Sequence, residues 1–400
     1  MKRIESADAV RGFSLFGIFM ANLLIFQFGL SGKDYIEFYH LNSVNEFAFK
    51  TVKVIFEGSF LPIFAILFGF SMDKLFQSMK NKEIKWKRFK LLCRAAGLII
   101  LGILHSYLIW EGDILLAYGI AMIIFIPFIG LPKWCFKFFT IIFAAGLMML
   151  TATSFFIPEE ETGIVVPEDE KISYMTNLIE VNKNGSYQEI VDARQNMTDP
   201  FFNAKMESGG ELGVLAVIIG MIMPAFLYAI GVYLSKAGWF IKDANHFWSS
   251  KLYIYLIPVS IILKSTIYWN VNEEIASSLN LMFGMVLAFG LMSLIKLLFQ
   301  RYENSEIIAG LKNMGKLSLT MYILQSIIAT SIFYGYGLGL FGADIFIWSI
   351  LIVIVIYLGQ MYMSTLYLKH FRYGPLEYFL RIVTYMNVRK KKWVKSEREK

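Results

Sequence analysis

Apolar positions in this chain fall in long blocks and not in stripes. The segments 114–131, 138–157 and 345–358 are apolar on every helical face, and about 20 such residues make a helix that crosses a bilayer. A water-soluble core offers no comparable home for so many of them. Reading apolar blocks between charged punctuation predicts spans near 9–30, 54–72, 92–110, 114–131, 135–157, 212–235, 248–268, 277–299, 316–336 and 344–368. The expected fold is all-α, a single polytopic membrane domain over 1–400 with about ten transmembrane helices. Only Glu111, Gly112 and Asp113 join the third and fourth spans, which must therefore form a tight antiparallel hairpin. The largest polar interruption, 158–211, reads as a large loop with weakly helical stretches at 168–182 and 186–196.

Composition agrees: 56% hydrophobic, 16% aromatic and only 17% charged residues lie outside soluble usage. Charge then orients the spans, because cytoplasmic loops hold the excess of Lys and Arg. With the amino terminus inside, 30 of the 38 basic residues fall on the cytoplasmic side and 21 of the 31 acidic residues on the other. Both termini are therefore expected in the cytoplasm, with 386–400 as a basic tail and 158–211 outside. The net charge of +7 reads as topology plus attraction to anionic lipid headgroups, with no nucleic-acid partner expected. The first apolar run continues past Leu24 without a small-residue cleavage site, which predicts a retained first helix. Cys93 and Cys135 are the only cysteines, both at expected cytoplasmic helix ends, and neither a structural disulfide nor a metal site is predicted from them. The bilayer is the expected environment, in a bacterial-type plasma membrane.

Ionisable groups inside spans are costly, so each is a functional candidate. His105 is the most informative, about 7–8 Å below the outer surface at 1.5 Å rise per residue. Its imidazole is the natural proton acceptor near neutrality, although an interhelical hydrogen bond alone would also account for it. Arg94 lies eleven residues earlier, close to three turns, so the two share a face about 16 Å apart, and Gly102 leaves room beside His105. Such a face could flank a long, anionic-headed ligand. Asp8 and Arg11 are spaced to pair at the entrance of the first helix, and Asn22 follows Arg11 on the same face. Glu57 falls at the depth of His105, and Glu111 and Asp113 flank the adjacent hairpin; any of these carboxylates could orient the imidazole. On the ninth span Ser318, Tyr322 and Gln325 share a face. Packing is the default reading for all three, with Gln325 the best candidate to line a cavity.

The stretches Arg3 to Phe13, Glu57-Gly58-Ser59-Phe60 with Leu67-Phe68-Gly69, Leu104-His105 through Trp110-Glu111-Gly112-Asp113-Ile114-Leu115, Gly315-Lys316-Leu317-Ser318-Leu319-Thr320 with Gln325-Ser326, and Gly374-Pro375-Leu376-Glu377-Tyr378 with Arg381 and Thr384-Tyr385 resemble the YeiB-like membrane family, domain-of-unknown-function family 418. That family looks related to the transmembrane acyltransferase superfamily, typified by lysosomal heparan glucosaminide acetyltransferase. The resemblance implies an acyl-CoA donor, most simply acetyl-CoA, entering from the cytoplasm, and a histidine, here His105, serving an acceptor on the far side. It also implies a cationic cytoplasmic mouth, which Arg11, Arg88, Arg94, Lys316, Arg372 and Arg381 would supply.

The expectation is therefore an acyltransferase acting on a hydroxyl or amine of an extracytoplasmic glycan or lipid. His105 would be the base, Glu57 or Asp113 its orienting acid, and Arg11, Arg94, Lys316, Arg372 and Arg381 the donor site. Asn22, Glu111 and Gln325 are assigned to the acceptor side, no metal is expected, and a homodimer is left open. A transporter or export component without covalent chemistry is the main alternative, and a membrane scaffold the third.

Overall fold

The computed structural model describes residues 4–156, 166–241, 251 and 253–386, the side chains of 205–219 and 221 excepted. All regular structure among them is helical. The helices are α1 (Glu5–Phe28), α2 (Ser43–Phe56), α3 (Phe60–Asn81), α4 (Lys87–Leu108), α5 (Leu115–Phe125), α6 (Lys133–Ser154), α7 (Glu168–Asn184), α8 (Tyr187–Asn196), α9 (Pro200–Lys236), α10 (Tyr253–Lys264), α11 (Glu273–Arg301), α12 (Glu306–Lys316), α13 (Ser318–Phe333), α14 (Phe346–His370) and α15 (Pro375–Tyr385).

Among the described residues, six stretches are long and apolar enough to cross a membrane: α1, α2 with α3, α4, α6, α11 and α14. A seventh is added if α12 and α13, bent by 89° at Leu317, count as one span. Of the remaining expected spans, 212–235 falls within α9, and those near 114–131 and 248–268 coincide with the shorter apolar helices Leu115–Phe128 and Tyr253–Tyr268. The chain is thus a multi-pass helical membrane protein.

Burial ranks the helices. The most apolar window of α1 is 72% buried and that of α6 only 11%, so α1 is the central post and α6 lies at the periphery. The outward face of α6 shows Phe138, Ile141, Met148 and Met149, a surface that lipid accepts and water does not. At the centre, α1 packs on α12, α3 and α13. Its approach to α12 depends on Gly12 and Gly315: a Cβ on Gly12 would stand 2.0 Å from the Leu311 carbonyl oxygen, and one on Gly315 1.9 Å from that of Asp8.

Two core layers divide the molecule. One surrounds the amino-terminal half of α1 with α3, α4, α5, α9 and α12. The other surrounds its carboxy-terminal half with α2, α7 and the 334–346 segment. The second layer belongs to the acid-rich face. There the loop expected at 158–211 is largely helix: the stretches read as weakly helical are α7 and α8, and Ser186 begins α8 with a reciprocal capping box to Glu189. The expected second span also divides, because the amphipathic α2 ends at Phe56 and α3 begins only at Phe60. The basic tail beyond Met386 and the acidic run at 159–161 lie outside the described residues.

Candidate functional site

The α4–α5 hairpin makes the central feature of the site. His105 lies one turn before the end of α4, 1% exposed, and its Nδ1 is 2.8 Å from Oδ1 of Asp113. The other oxygen of Asp113 accepts the Leu116 N–H at 2.8 Å and so satisfies a free donor at the start of α5. Gly102 permits this arrangement. A Cβ there would meet the Leu116 nitrogen at 2.4 Å and Asp113 Oδ2 at 2.7 Å, so the room beside His105 holds the carboxylate.

An ionised carboxylate can only accept hydrogen bonds, so Nδ1 carries the hydrogen and the neutral ring keeps its lone pair at Nε2. That Nε2 is buried and has no hydrogen-bond partner among the described residues. Around the ring stand Trp110, at 6.4 Å between centroids, and Tyr322 of α13, at 5.3 Å. Trp110 belongs to one core layer and Tyr322 to the other, which places the imidazole where the layers meet.

Tyr322 also lines a cavity of about 280 Å³. Its walls are apolar residues of α3 and α4, such as Phe64, Phe68, Met72 and Leu98, with Leu115 of α5. Arg11, Arg94, Lys316 and Arg381 also line it, and Glu377 is the acidic lining residue among those described. Arg11 donates to Asp8 at 3.1 Å, the pairing expected from their spacing, and to the Ser71 hydroxyl. Arg94 has no hydrogen-bond or ion-pair partner among the described residues. Arg381 lies against the rings of Tyr373 and Tyr385, at 5.0 and 5.2 Å.

The bend at Leu317 turns the start of α13 toward this cavity. Glu377 of α15 covers that start, accepting from the Leu319 and Thr320 N–H groups at 2.7 and 3.1 Å and from the Thr320 hydroxyl at 2.6 Å. Burial pushes the Glu377 carboxyl above its ordinary range, against hydrogen bonds from Thr320 and Leu319 that favour the ionised form. With the start of α13 already capped by Glu377, the lining cations outnumber the carboxylate among the described residues, an excess that favours a negatively charged group.

Of the three carboxylates proposed to orient His105, the geometry pairs Asp113 with it and engages the others elsewhere. Glu57 sits in the break between α2 and α3 and forms an ion pair with Lys33 at 2.7 Å. Glu111 faces Arg194 of α8 at 4.0 Å. Gln325 does not line the cavity; its amide donates to Gln360 of α14 at 3.0 Å, a bond between helices. Asn22 is buried on α1 and Arg372 lies beside α15, neither of them among the cavity-lining residues. Tyr322, which reads in sequence as packing, and Glu377, noticed there only within a motif, are the positions that sequence reasoning undervalued. The Gly-Pro-x-Glu spacing at 374–377 is a helix-start signal that could have drawn attention to Glu377.

The family model described as "Protein of unknown function (DUF418)" matches residues 234–387, which include α11 to α15 and so Lys316, Tyr322, Glu377 and Arg381. The chain is 26% identical to "Uncharacterized protein YxaH" of Bacillus subtilis (strain 168), over 96% of this chain and 95% of that protein. It is 25% identical to "Uncharacterized protein YeiB" of Escherichia coli (strain K12), over 96% and 97%. No solved structure matches the chain. The carboxy-terminal part of the bundle thus matches the DUF418 model, and the chain is similar from end to end to these YeiB-like proteins.

Proposed function

We propose that the protein is a membrane-embedded acyltransferase that moves an acyl group, acetyl in the simplest case, from acyl-CoA to a hydroxyl or amine presented at the acid-rich face. The observation that carries the reading is the buried His105–Asp113 pair, its Nε2 without a partner among the described residues, packed against Tyr322, which lines a cavity that Arg11, Arg94, Lys316 and Arg381 also line. Arg94, Lys316 and Arg381 would hold the donor's phosphates, and the cavity would take the acyl-bearing arm toward Tyr322. His105 would remove the acceptor's proton as it attacks the thioester carbonyl, and Asp113 would hold the ring in the required tautomer and stabilise the imidazolium. The resemblance to the transmembrane acyltransferase superfamily supports the same chemistry. The bacterial relatives and the apolar helices fit placement in a plasma membrane, and the Lys and Arg asymmetry of the sequence supports both termini being cytoplasmic.

One observation favours the alternative of a transporter. The α12–α13 pair is broken at Leu317, and discontinuous helices with exposed helix ends commonly bind substrate in transporters. A single experiment separates the two. Purified protein in detergent is given labelled acetyl-CoA, and binding and covalent transfer of label to membrane lipid and glycan fractions are measured. The acyltransferase reading expects both; binding or transport without an acylated product would support the transporter.

A further inference from the structure

Three buried polar atoms with no hydrogen-bond partner among the described residues belong to residues around one imidazole: His105 Nε2, the Trp110 indole nitrogen and the Tyr322 hydroxyl. Buried polar groups are usually hydrogen-bonded, and here one acceptor and two donors about a single ring have capacity unspent among the described residues. The three differ in kind. With Nδ1–H committed to Asp113, Nε2 is an acceptor, whereas the indole N–H and phenol O–H are donors. A reacting acyl group requires this mixture, an acceptor for the incoming nucleophile's proton and a donor for the negative charge that develops on the carbonyl oxygen.

Only one of the two donors is placed for the second task. Trp110 is fully buried, with its ring centroid 4.2 Å from that of Phe26, and does not line the cavity. Tyr322 lines the cavity and also lies against the imidazole. Its oxygen lies beside the Ile114 backbone without a hydrogen bond of normal geometry, so the O–H remains available to donate. A phenylalanine would fill the same space without burying an unpaired hydroxyl.

Resting on the acyltransferase reading, we propose that the Tyr322 hydroxyl is a catalytic group that donates a hydrogen bond to the thioester oxygen in the transition state. The acceptor's oxygen or nitrogen forms a bond to the carbonyl carbon while its proton passes to His105 Nε2. The carbonyl π pair moves onto the oxygen, where Tyr322 holds it. When the carbonyl re-forms, the carbon–sulfur bond breaks, the sulfur leaves with the bonding pair, and the imidazolium proton passes to that thiolate. The products are the acylated acceptor and free CoA thiol.

The test compares wild type and Tyr322→Phe in detergent, using acetyl-CoA and the membrane acceptor fraction and measuring kcat, the KM for acetyl-CoA and melting temperature. Loss of an oxyanion donor should lower kcat by about 10²-fold or more, with the KM within about 3-fold and melting temperature unchanged or raised. Wild-type kcat in Tyr322→Phe, or loss of its cooperative melting transition, would overturn the assignment of Tyr322 alone. A wild type that binds acetyl-CoA but transfers nothing would overturn the acyltransferase reading and this proposal together.

Discussion

His105 and Asp113 lie eight residues apart across the α4–α5 turn, yet Nδ1 and Oδ1 are 2.8 Å apart with both side chains almost wholly buried. An isosteric amide at 113 can offer a donor to Nδ1 and so drive the ring to the opposite tautomer, with the hydrogen on Nε2 and no lone pair for an acceptor. Asp113→Asn should therefore reduce acyl transfer by about 10²-fold or more while leaving acetyl-CoA affinity unchanged. Steady-state kinetics beside calorimetry checks this; unchanged kcat would remove Asp113 from the mechanism.

Gly102 is predicted to tolerate no side chain. Its Cβ would fall on the Leu116 backbone nitrogen and an Asp113 oxygen, neither of them the free end of a flexible chain. Gly102→Ala should destabilise the protein by about 1–3 kcal/mol through overpacking, seen as a lower melting temperature in detergent. Transfer activity should fall with it, because the His105–Asp113 spacing shares the strain.

Arg94 makes no hydrogen bond or ion pair among the described residues, so a ligand phosphate would be its first directly bonded partner. A hydrogen bond to a charged group contributes about 1.5–3 kcal/mol, and Arg94→Ala should weaken acetyl-CoA binding about 10- to 100-fold in calorimetry. Arg372→Ala, outside the cavity lining, should leave it nearly unchanged.

These contrasts mark how far the sequence was legible. Helical character, the α4–α5 hairpin, His105 and the basic helix ends all read directly, because apolar runs, short connections and charges at helix termini are local signals. Which of three nearby carboxylates meets His105 was not legible. Residue 57 sits in a break between helices, and that break was hidden because the amphipathic 43–56, with Glu46, Lys50 and Lys53, resembles a polar loop more than a span. Gln325 and Tyr322 lie three residues apart on one helix, but the rotation of α13 about its axis decides which meets the cavity and which meets Gln360. That rotation is set by packing against α1 and α15, which no single segment encodes.

On the acid-rich face, Asp344 ties the start of α2 to the start of α14. Its carboxylate accepts from the Asn42 and Asn45 side chains at 2.6 and 2.7 Å, and the Asn45 oxygen accepts the Ile347 N–H at 3.0 Å. Burial alone would raise the Asp344 carboxyl, but the hydrogen bonds from Asn45 and Asn42 together outweigh it and hold the group below its ordinary value. A depressed folded value means stability that is present above the ordinary carboxylate range and is lost as pH falls through the depressed value. Wild type should thus lose melting temperature at acid pH more steeply than Asp344→Ala, with the two curves converging at the acid end. Parallel curves would show that the clamp adds nothing.

The central claim is that His105 is the base of an acyl transfer, and the most direct measurement compares labelled-acetyl transfer by wild type and His105→Ala in detergent, with acetyl-CoA binding and melting temperature recorded on the same samples. The account predicts a folded variant that binds acetyl-CoA as wild type does and transfers acetyl about 10²- to 10⁴-fold more slowly, the usual contribution of a positioned general base. A histidine serving only as a helix-to-helix contact would instead cost about 1 kcal/mol of stability without selective loss of turnover. A stable His105→Ala protein with wild-type transfer would contradict the account.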